Sequence, residues 1–301
     1  MKVTQFLSII VLIFPILFGC TTKSLQQKVL EMAKNAKYDQ NGLIKGNGKK
    51  YAILIGSSSF PGIKQLKGPS TEIKKISKLL ADQCYSVISL VDEQATRSLV
   101  HQSIKQILKE MNPKDNNRLL FYFTGHGIKV DHELARLSKK VRQNLSGEYV
   151  LIPQQEDPQK PDITEVLSLE EIVGMMNSTR IYQKVIMIDA CHGGHFASVD
   201  PLINPNIFTN FPLPDGLFIL TSSKETVDDG QYGPLILEGL HGEADVNAQG
   251  NRDGFVSLWE LTNYLHEKVN AKIKKNDDRV FASRYIFLGS GDVLLTKIKS
   301  Q

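Results

Sequence analysis

The feature that most constrains the fold is a series of short, mostly apolar runs, most of them without polar alternation and followed by glycine or polar residues. Such runs are typical of strands that are buried on both faces of a parallel sheet. The predicted strands are 51–55, 85–91, 119–123, 184–188 and 216–220. Segments with helical spacing lie between them or follow them, at 73–80, 98–111, 169–176 and 257–272. We therefore predict an α/β fold in which helices cover both faces of a parallel sheet.

Size and charge narrow the classes of function. The chain has 301 residues, of which 41% are hydrophobic and 23% are charged, so it can bury one large α/β domain or two small ones. The formal net charge is only +4, and the lysines are scattered instead of forming a stripe with interleaved aromatic residues. We therefore expect no nucleic-acid partner.

The N-terminus is predicted to be a targeting segment and not part of the fold. The apolar run within residues 1–19 is interrupted by Pro15 and ends in Leu-Phe-Gly, directly before Cys20. This ending resembles a bacterial lipoprotein signal, in which Cys20 would carry the lipid; an ordinary signal peptide or an uncleaved anchor is the alternative. Residues 20–49 are rich in lysine and glycine, as expected of a tether, and 50–301 form the predicted domain. The protein would then be attached through its lipid to a membrane of the bacterial cell envelope.

The remaining cysteines differ in their surroundings. Cys84 lies between a predicted helix and a predicted strand, and we expect it to be a small buried apolar residue. Cys191 follows the strand 184–188 in the stretch Asp-Ala-Cys-His-Gly-Gly. Two lone cysteines do not form a disulfide framework, so Cys191 needs another explanation.

Polar residues follow two of the predicted strands where each ends. The strand 119–123 runs into Thr-Gly-His-Gly, which contains His126, and the strand 184–188 runs into Cys191. The carboxyl ends of parallel strands meet at one edge of a sheet, so an imidazole and a thiol are expected there together. A thiol needs such a base to become a nucleophile. Each residue alone is more typical of a structural role, the histidine as a hydrogen-bonded residue and the cysteine as a buried one.

A zinc site is the alternative for the same residues. Its ligands would be Cys191, His192 and His195, with His126 as the fourth. Adjacent residues rarely both point at one ion, and no paired cluster elsewhere in the sequence supports this interpretation.

The motifs together resemble those of the caspase-like cysteine peptidases, in particular the bacterial branch and the metacaspases. The resemblance covers about residues 50–272, and Cys191 follows His126 by 65 positions. The motifs that carry it are YAILIG (51–56), LLFYFTGHG (119–127), GEYVLIP (147–153) and KVIMIDACHGG (184–194). The resemblance implies a three-layer caspase-like fold with a mostly parallel sheet of about six strands. It also implies a cysteine endopeptidase that acts on peptides or proteins and requires no cofactor.

The resemblance assigns roles at the matching positions. His126 would be the general base and Cys191 the nucleophile, while the main-chain N–H groups of Gly127 and Cys191 would hold the oxyanion. A second hypothesis is a catalytically inactive protein of the same fold that acts as a binding or scaffolding module. The presence of both dyad residues and their flanking glycines favours the enzyme.

The resemblance also predicts cleavage after Lys or Arg. Asp189, Glu72 and Thr124 fall on positions that line the pocket for the residue before the cleaved bond in metacaspases. An acidic pair in such a pocket favours a cationic side chain. The alternatives are structural: Asp189 could accept loop N–H groups at a strand end, and Glu72 could stabilise the first turn of a helix.

A second motif has the spacing of a calcium-binding loop. Asn251, Asp253 and Glu260 occupy ligand positions of this pattern, whereas the first position is Gln249 instead of aspartate. The alternative is a polar turn before the helix 257–272, with Ser257 as N-cap and Glu260 completing a capping box. We therefore expect at most an optional calcium ion.

Overall fold

The chain forms alternating strands and helices close to the predicted positions. The computed structural model describes residues 48–58, 65–129, 149–152, 166–178, 180–190, 216–222, 232–272, 284–288 and 292–298, all within one compact unit of residues 38–301. The strands are β1 (Lys50–Gly56), β2 (Tyr85–Val91), β3 (Arg118–Lys129), β4 (Tyr149–Ile152), β5 (Leu167–Ser168), β6 (Gln183–Ala190), β7 (Leu217–Thr221), β8 (Phe255–Ser257), β9 (Arg284–Leu288) and β10 (Leu294–Lys297). The helices are α1 (Pro69–Asp82), α2 (Arg97–Glu110), α3 (Leu169–Met176), α4 (Gly233–Glu238) and α5 (Leu258–Lys272), and α4 continues through a π-helical turn, Gly239–Glu243.

The main sheet has the strand order β2-β1-β3-β6-β7-β9. The first five strands are parallel, and β9 is antiparallel to β7 at the edge. The end of β3 pairs with β4, which pairs with β5, while β8 and β10 form a separate two-stranded sheet. This arrangement confirms the predicted α/β class with a mostly parallel sheet.

Alternate residues of the strands face two different helical layers. Ile53 and Phe121 belong to the core beneath α2 and α3. Leu54 and Leu120, on the opposite face, belong to a second core with α1, α4 and α5. Every residue of β1 is buried, which explains why residues 51–55 are apolar without alternation. The protein therefore has the three layers that the sequence predicted.

Local capping chemistry sets where the helices begin. The Thr96 hydroxyl accepts a hydrogen bond of 3.3 Å from the N–H of Leu99 at the start of α2. The Ser168 hydroxyl does the same for the N–H of Glu171 in α3, at 3.1 Å. Helix α1 begins at Pro69, whose fixed φ and missing N–H suit the first helical position.

The prediction that Cys84 is buried is wrong. Its side chain is exposed, and its backbone has a φ of 62° in the turn between α1 and β2. Helix α1 ends two residues earlier, and the left-handed conformation at Cys84 reverses the chain toward β2. The next residue, Tyr85, enters the core instead.

Candidate active site

Three strands of the main sheet end side by side at one edge. Gly56 at the end of β1 pairs with Thr124 of β3, and Thr124 pairs with Asp189 of β6. The last pair of the β3–β6 register is Gly125 with Ala190. The parallel register therefore brings two of the predicted pocket residues, Thr124 and Asp189, next to each other.

His126 and Cys191 are each one residue beyond this last pair. His126 lies on the extension of β3, opposite Ile152 of β4, and is only 9% exposed. Gly127 follows on the same ladder, opposite Leu151. Cys191 lies outside the described residues.

Helix α1 places Glu72 against the end of β3. The Thr124 hydroxyl donates a hydrogen bond of 2.9 Å to Glu72 Oε2, and both residues are buried. Gly233, the first residue of α4, packs on the other side of this carboxylate, because a Cβ atom there would lie 2.2 Å from Glu72 Cδ. The structure thus brings Glu72, Thr124 and Asp189 together at one place.

Tyr122 is a polar residue near this acidic pair that the sequence analysis did not single out. It is 1% exposed, and a hydrogen bond with the side chain of Thr124 acts to lower its pKa. Burial raises the pKa of Tyr122 well above its usual range, and the charges of Asp189 and Glu72 raise it further. Strand alternation could have identified it, because Tyr122 and Thr124 are two residues apart on β3 and share a face.

Ser222 is a second residue that sequence reasoning missed. It follows β7, and its hydroxyl accepts a hydrogen bond of 3.2 Å from the N–H of Ala190 and donates one of 3.3 Å to the Ala190 carbonyl. Its own N–H donates to the Ile188 carbonyl at 2.9 Å. These bonds hold the end of β6 directly before Cys191. No local sequence signal identifies Ser222, because its side-chain partner, Ala190, is 32 residues away.

A groove of about 370 Å³ lies between α1 and α4 on the far side of Glu72. Its walls combine apolar and charged side chains from the two helices and the π-helical turn. They are formed by Glu72, Lys75, Ile76, Gly233, Pro234, Leu237, Glu238, His241 and Glu243. Glu72 is therefore shared between the groove and the cluster at the strand ends.

The predicted calcium-loop residues form a hydrogen-bonded turn before α5. Ser257 and Glu260 make the reciprocal bonds of a capping box: the Glu260 N–H donates to the Ser257 hydroxyl at 3.2 Å, and the Ser257 N–H donates to Glu260 Oε2 at 2.9 Å. The other oxygen, Oε1, accepts from the N–H of Asn251 at 2.9 Å. Asp253 Oδ1 accepts from the N–H of Phe255. These bonds explain the residue pattern without an ion, and calcium binding stays a prediction.

Most residues of the alternative zinc site and of the predicted lipidation site lie outside the described residues. These are His192, His195 and Cys20. Within the described part of the chain, no group of three or more His, Cys, Asp or Glu side chains could hold a metal ion. The described helices also include none that is long and apolar enough to span a bilayer.

Comparison with known proteins identifies the class. Residues 49–282 match the model of the caspase domain, so the chain belongs to this family of cysteine peptidases. Among solved structures, caspase-1 of Spodoptera frugiperda superposes with a TM-score of 0.54 at 14% sequence identity, over 89% of this chain and 96% of that one. At this identity the similarity shows the shared fold.

Curated relatives carry the name metacaspase-1. Those of Candida albicans and Lodderomyces elongisporus are each 27% identical over 96 residues, which is 29% of this chain and 21% of theirs. That of Scheffersomyces stipitis is 28% identical over 91 residues, 27% of this chain and 22% of its own length. The chain therefore spans about a fifth of the length of these relatives.

Proposed function

We propose that this chain is an endopeptidase that cleaves after Lys or Arg through a dyad of Cys191 and His126. The observation that supports this proposal best is the position of the acidic cluster. Glu72 and Asp189 flank Thr124 at the sheet edge. Thr124 and Asp189 are each two residues before a dyad position. A cationic side chain bound there would place the following peptide bond beside the thiol.

The proposed reaction proceeds through an acyl-enzyme. His126 accepts the thiol proton as Cys191 Sγ attacks the carbonyl carbon of the substrate, and the N–H groups of Gly127 and Cys191 hold the oxyanion. The imidazolium then gives its proton to the leaving amine, and the C–N bond breaks. Water, deprotonated by His126, hydrolyses the thioester and restores the thiol.

A panel of fluorogenic peptides ending in Arg, Lys or Asp tests both the reaction and its specificity. We expect the purified full chain to prefer Arg and Lys over Asp by about a hundredfold in kcat/KM, which corresponds to about 2.8 kcal/mol. Cys191→Ala should abolish hydrolysis. Cys84→Ala is the matched control, because Cys84 is an exposed thiol in a turn after α1 and should be dispensable.

Three outcomes would contradict the proposal. A preference for Asp would show that Glu72 and Asp189 do not form the specificity pocket. Full activity of Cys191→Ala would exclude the dyad. If the wild-type chain binds cationic peptides but hydrolyses none of them, the inactive binding module becomes the better description.

We also propose that a lipid on Cys20 attaches the protein to the bacterial cell envelope. The Leu-Phe-Gly-Cys ending of the apolar N-terminal run motivates this proposal. In bacterial cells, the full chain should incorporate a fatty-acid analogue and Cys20→Ser should not. Equal labelling of both proteins would count against lipidation at this residue.

A further inference from the structure

The groove between α1 and α4 is open to solvent and has an apolar floor. Its volume of about 370 Å³ is within the range of small-ligand sites in proteins, roughly 300–1,000 Å³. Ile76 of α1 is buried and Leu237 of α4 is half-buried, and both line the groove with carbon atoms. Glu238 and Glu243 also line it and are exposed. A ligand can therefore enter the groove, and an apolar portion of that ligand would cover the floor.

The charged side chains of the groove favour a cationic ligand. Three of the described lining residues carry carboxylates: Glu72, Glu238 and Glu243. Lys75 is the only lysine or arginine among these lining residues, so the carboxylates outnumber the ammonium group three to one. Lys75 is exposed, and a long lysine side chain can turn its ammonium group away into solvent. The groove therefore attracts positive charge and repels negative charge.

The π-helical turn after α4 gives the groove a hydrogen-bond acceptor as well. Gly242, with a φ of 129°, interrupts this turn between His241 and Glu243, and both of these neighbours line the groove. His241 Nδ1 lies 2.8 Å from the carbonyl oxygen of Leu237, and it donates to it, because a carbonyl only accepts. In the neutral ring the other nitrogen, Nε2, is then an acceptor. Such a turn is frequently found at functional sites.

We infer that the α1–α4 groove is a second subsite, which binds a basic side chain of the protein substrate other than the one in the Lys/Arg pocket. This inference rests on the proposed peptidase function and narrows its substrates to proteins with at least two basic residues. Lysine and arginine combine an aliphatic stem, which suits the apolar floor, with a cation for Glu238 and Glu243. Glu72 belongs to both the groove and the pocket, so the two sites are adjacent and one substrate can fill both.

The inference predicts opposite effects of two changes at the groove. Glu238→Gln combined with Glu243→Gln removes two charges and keeps the shape, so a second cation should lose about fivefold in affinity, as expected of exposed ion pairs. Lys75→Gln removes the opposing ammonium group, so the same cation should gain about twofold. All three residues are exposed, so the fold should tolerate these changes. A purely structural role of these residues would produce no gain in Lys75→Gln.

The test uses the full chain with Cys191→Ala, which cannot cut, and measures peptide binding by calorimetry. Each probe contains one Arg and one Lys, with the Lys at successive positions on either side of the Arg, and each has a match with the uncharged norleucine instead of Lys. At the best position the Lys peptide should bind about fivefold more tightly than its match. Glu238→Gln with Glu243→Gln should abolish this advantage, and Lys75→Gln should widen it. Glu267→Gln is the control, because this exposed acid of α5 is not among the groove's lining residues.

The result distinguishes this inference from the proposed function. Asp189→Asn, in the proposed pocket, should weaken a Lys peptide and its norleucine match alike. If the wild-type protein hydrolyses no peptide but the Lys advantage appears and depends on Glu238 and Glu243, the peptidase proposal fails and the groove stands as a site for basic side chains. A chain that cleaves after Arg but gains nothing from a second cation at any position would overturn the inference. So would an advantage that survives both glutamine substitutions.

Discussion

At the scale of single residues, the glycine at the start of α4 controls the position of the Glu72 carboxylate. A Cβ atom at Gly233 would lie 2.2 Å from Glu72 Cδ and 2.5 Å from Oε2, the oxygen that accepts the Thr124 hydrogen bond. The clash involves the end of a flexible side chain, so Glu72 can move away at little cost to the fold. Gly233→Ala should therefore raise KM for Arg and Lys peptides about tenfold, with little change in kcat or Tm.

A double-mutant cycle separates this effect from a general disturbance of α4. If Gly233 acts through Glu72, then Gly233→Ala should add nothing to the KM of Glu72→Gln. Gly239→Ala is the control: its Cβ would meet Leu261, at 2.6 Å, instead of Glu72, so it should affect stability and not KM. Additive effects of Gly233→Ala and Glu72→Gln would show that Gly233 does not position the carboxylate.

Some residues of the candidate site could be predicted from the sequence and others could not. Thr124 and Asp189 directly follow apolar runs, and a parallel sheet brings such strand ends together whatever the rest of the chain does. Ser222 and Gly233 have their effects through partners that are distant in sequence. Tyr122 has the sequence context of one more core residue, because it lies inside the apolar run 119–123.

At the scale of elements, strands with a clear local hydrophobic pattern could be predicted from the sequence. Strand segments that form only because a distant strand pairs with them could not. Strands β1 and β6 have continuous apolar centres, and the runs 51–55 and 184–188 predict their bounds to within two residues. The predicted strand 119–123 continues as β3 to Lys129, because β4 supplies hydrogen-bonding partners for a stretch that contains two glycines. Short antiparallel strands such as β8, with three residues, carry too few positions for a recognisable alternation.

The conformation at the end of strand β6 also depends on hydrogen bonds from the residue that follows the neighbouring strand β7. Past Ile188 the ladder with β7 stops, and the Ser222 hydroxyl takes over by bonding both the N–H and the carbonyl of Ala190. The last residue of β6, Ala190, is therefore held by the side chain of the residue that follows β7.

At the scale of the whole molecule, the layer of α5 holds several acids whose pKa is raised by burial. Burial raises the pKa of Glu260 from 4.5 to about 7, against the opposing effect of two main-chain N–H bonds, and nearby Asp253 and Asp245 add to the rise. Burial also raises the pKa of Asp292 to about 6 and, to a lesser extent, that of Asp245. The folded state therefore binds protons at these sites more tightly than the unfolded state does.

This proton linkage makes stability fall as pH rises, the reverse of what a salt-bridged carboxylate gives. The stabilisation from Glu260 is complete below its unfolded pKa and is lost as pH rises toward about 7. One pKa unit corresponds to about 1.4 kcal/mol, and each kcal/mol moves Tm by about 2–4 °C in a large domain.

We expect the Tm of the wild type to rise by at least about 2 °C more than that of Glu260→Gln when pH is lowered from about 8 to about 5, measured by calorimetry. Glu243→Gln, which removes an exposed acid near the same layer, should behave like the wild type. The same pH response in Glu260→Gln and the wild type would show that Glu260 is ionised in the folded protein throughout this range, because a group that stays charged in both states cannot contribute to the difference.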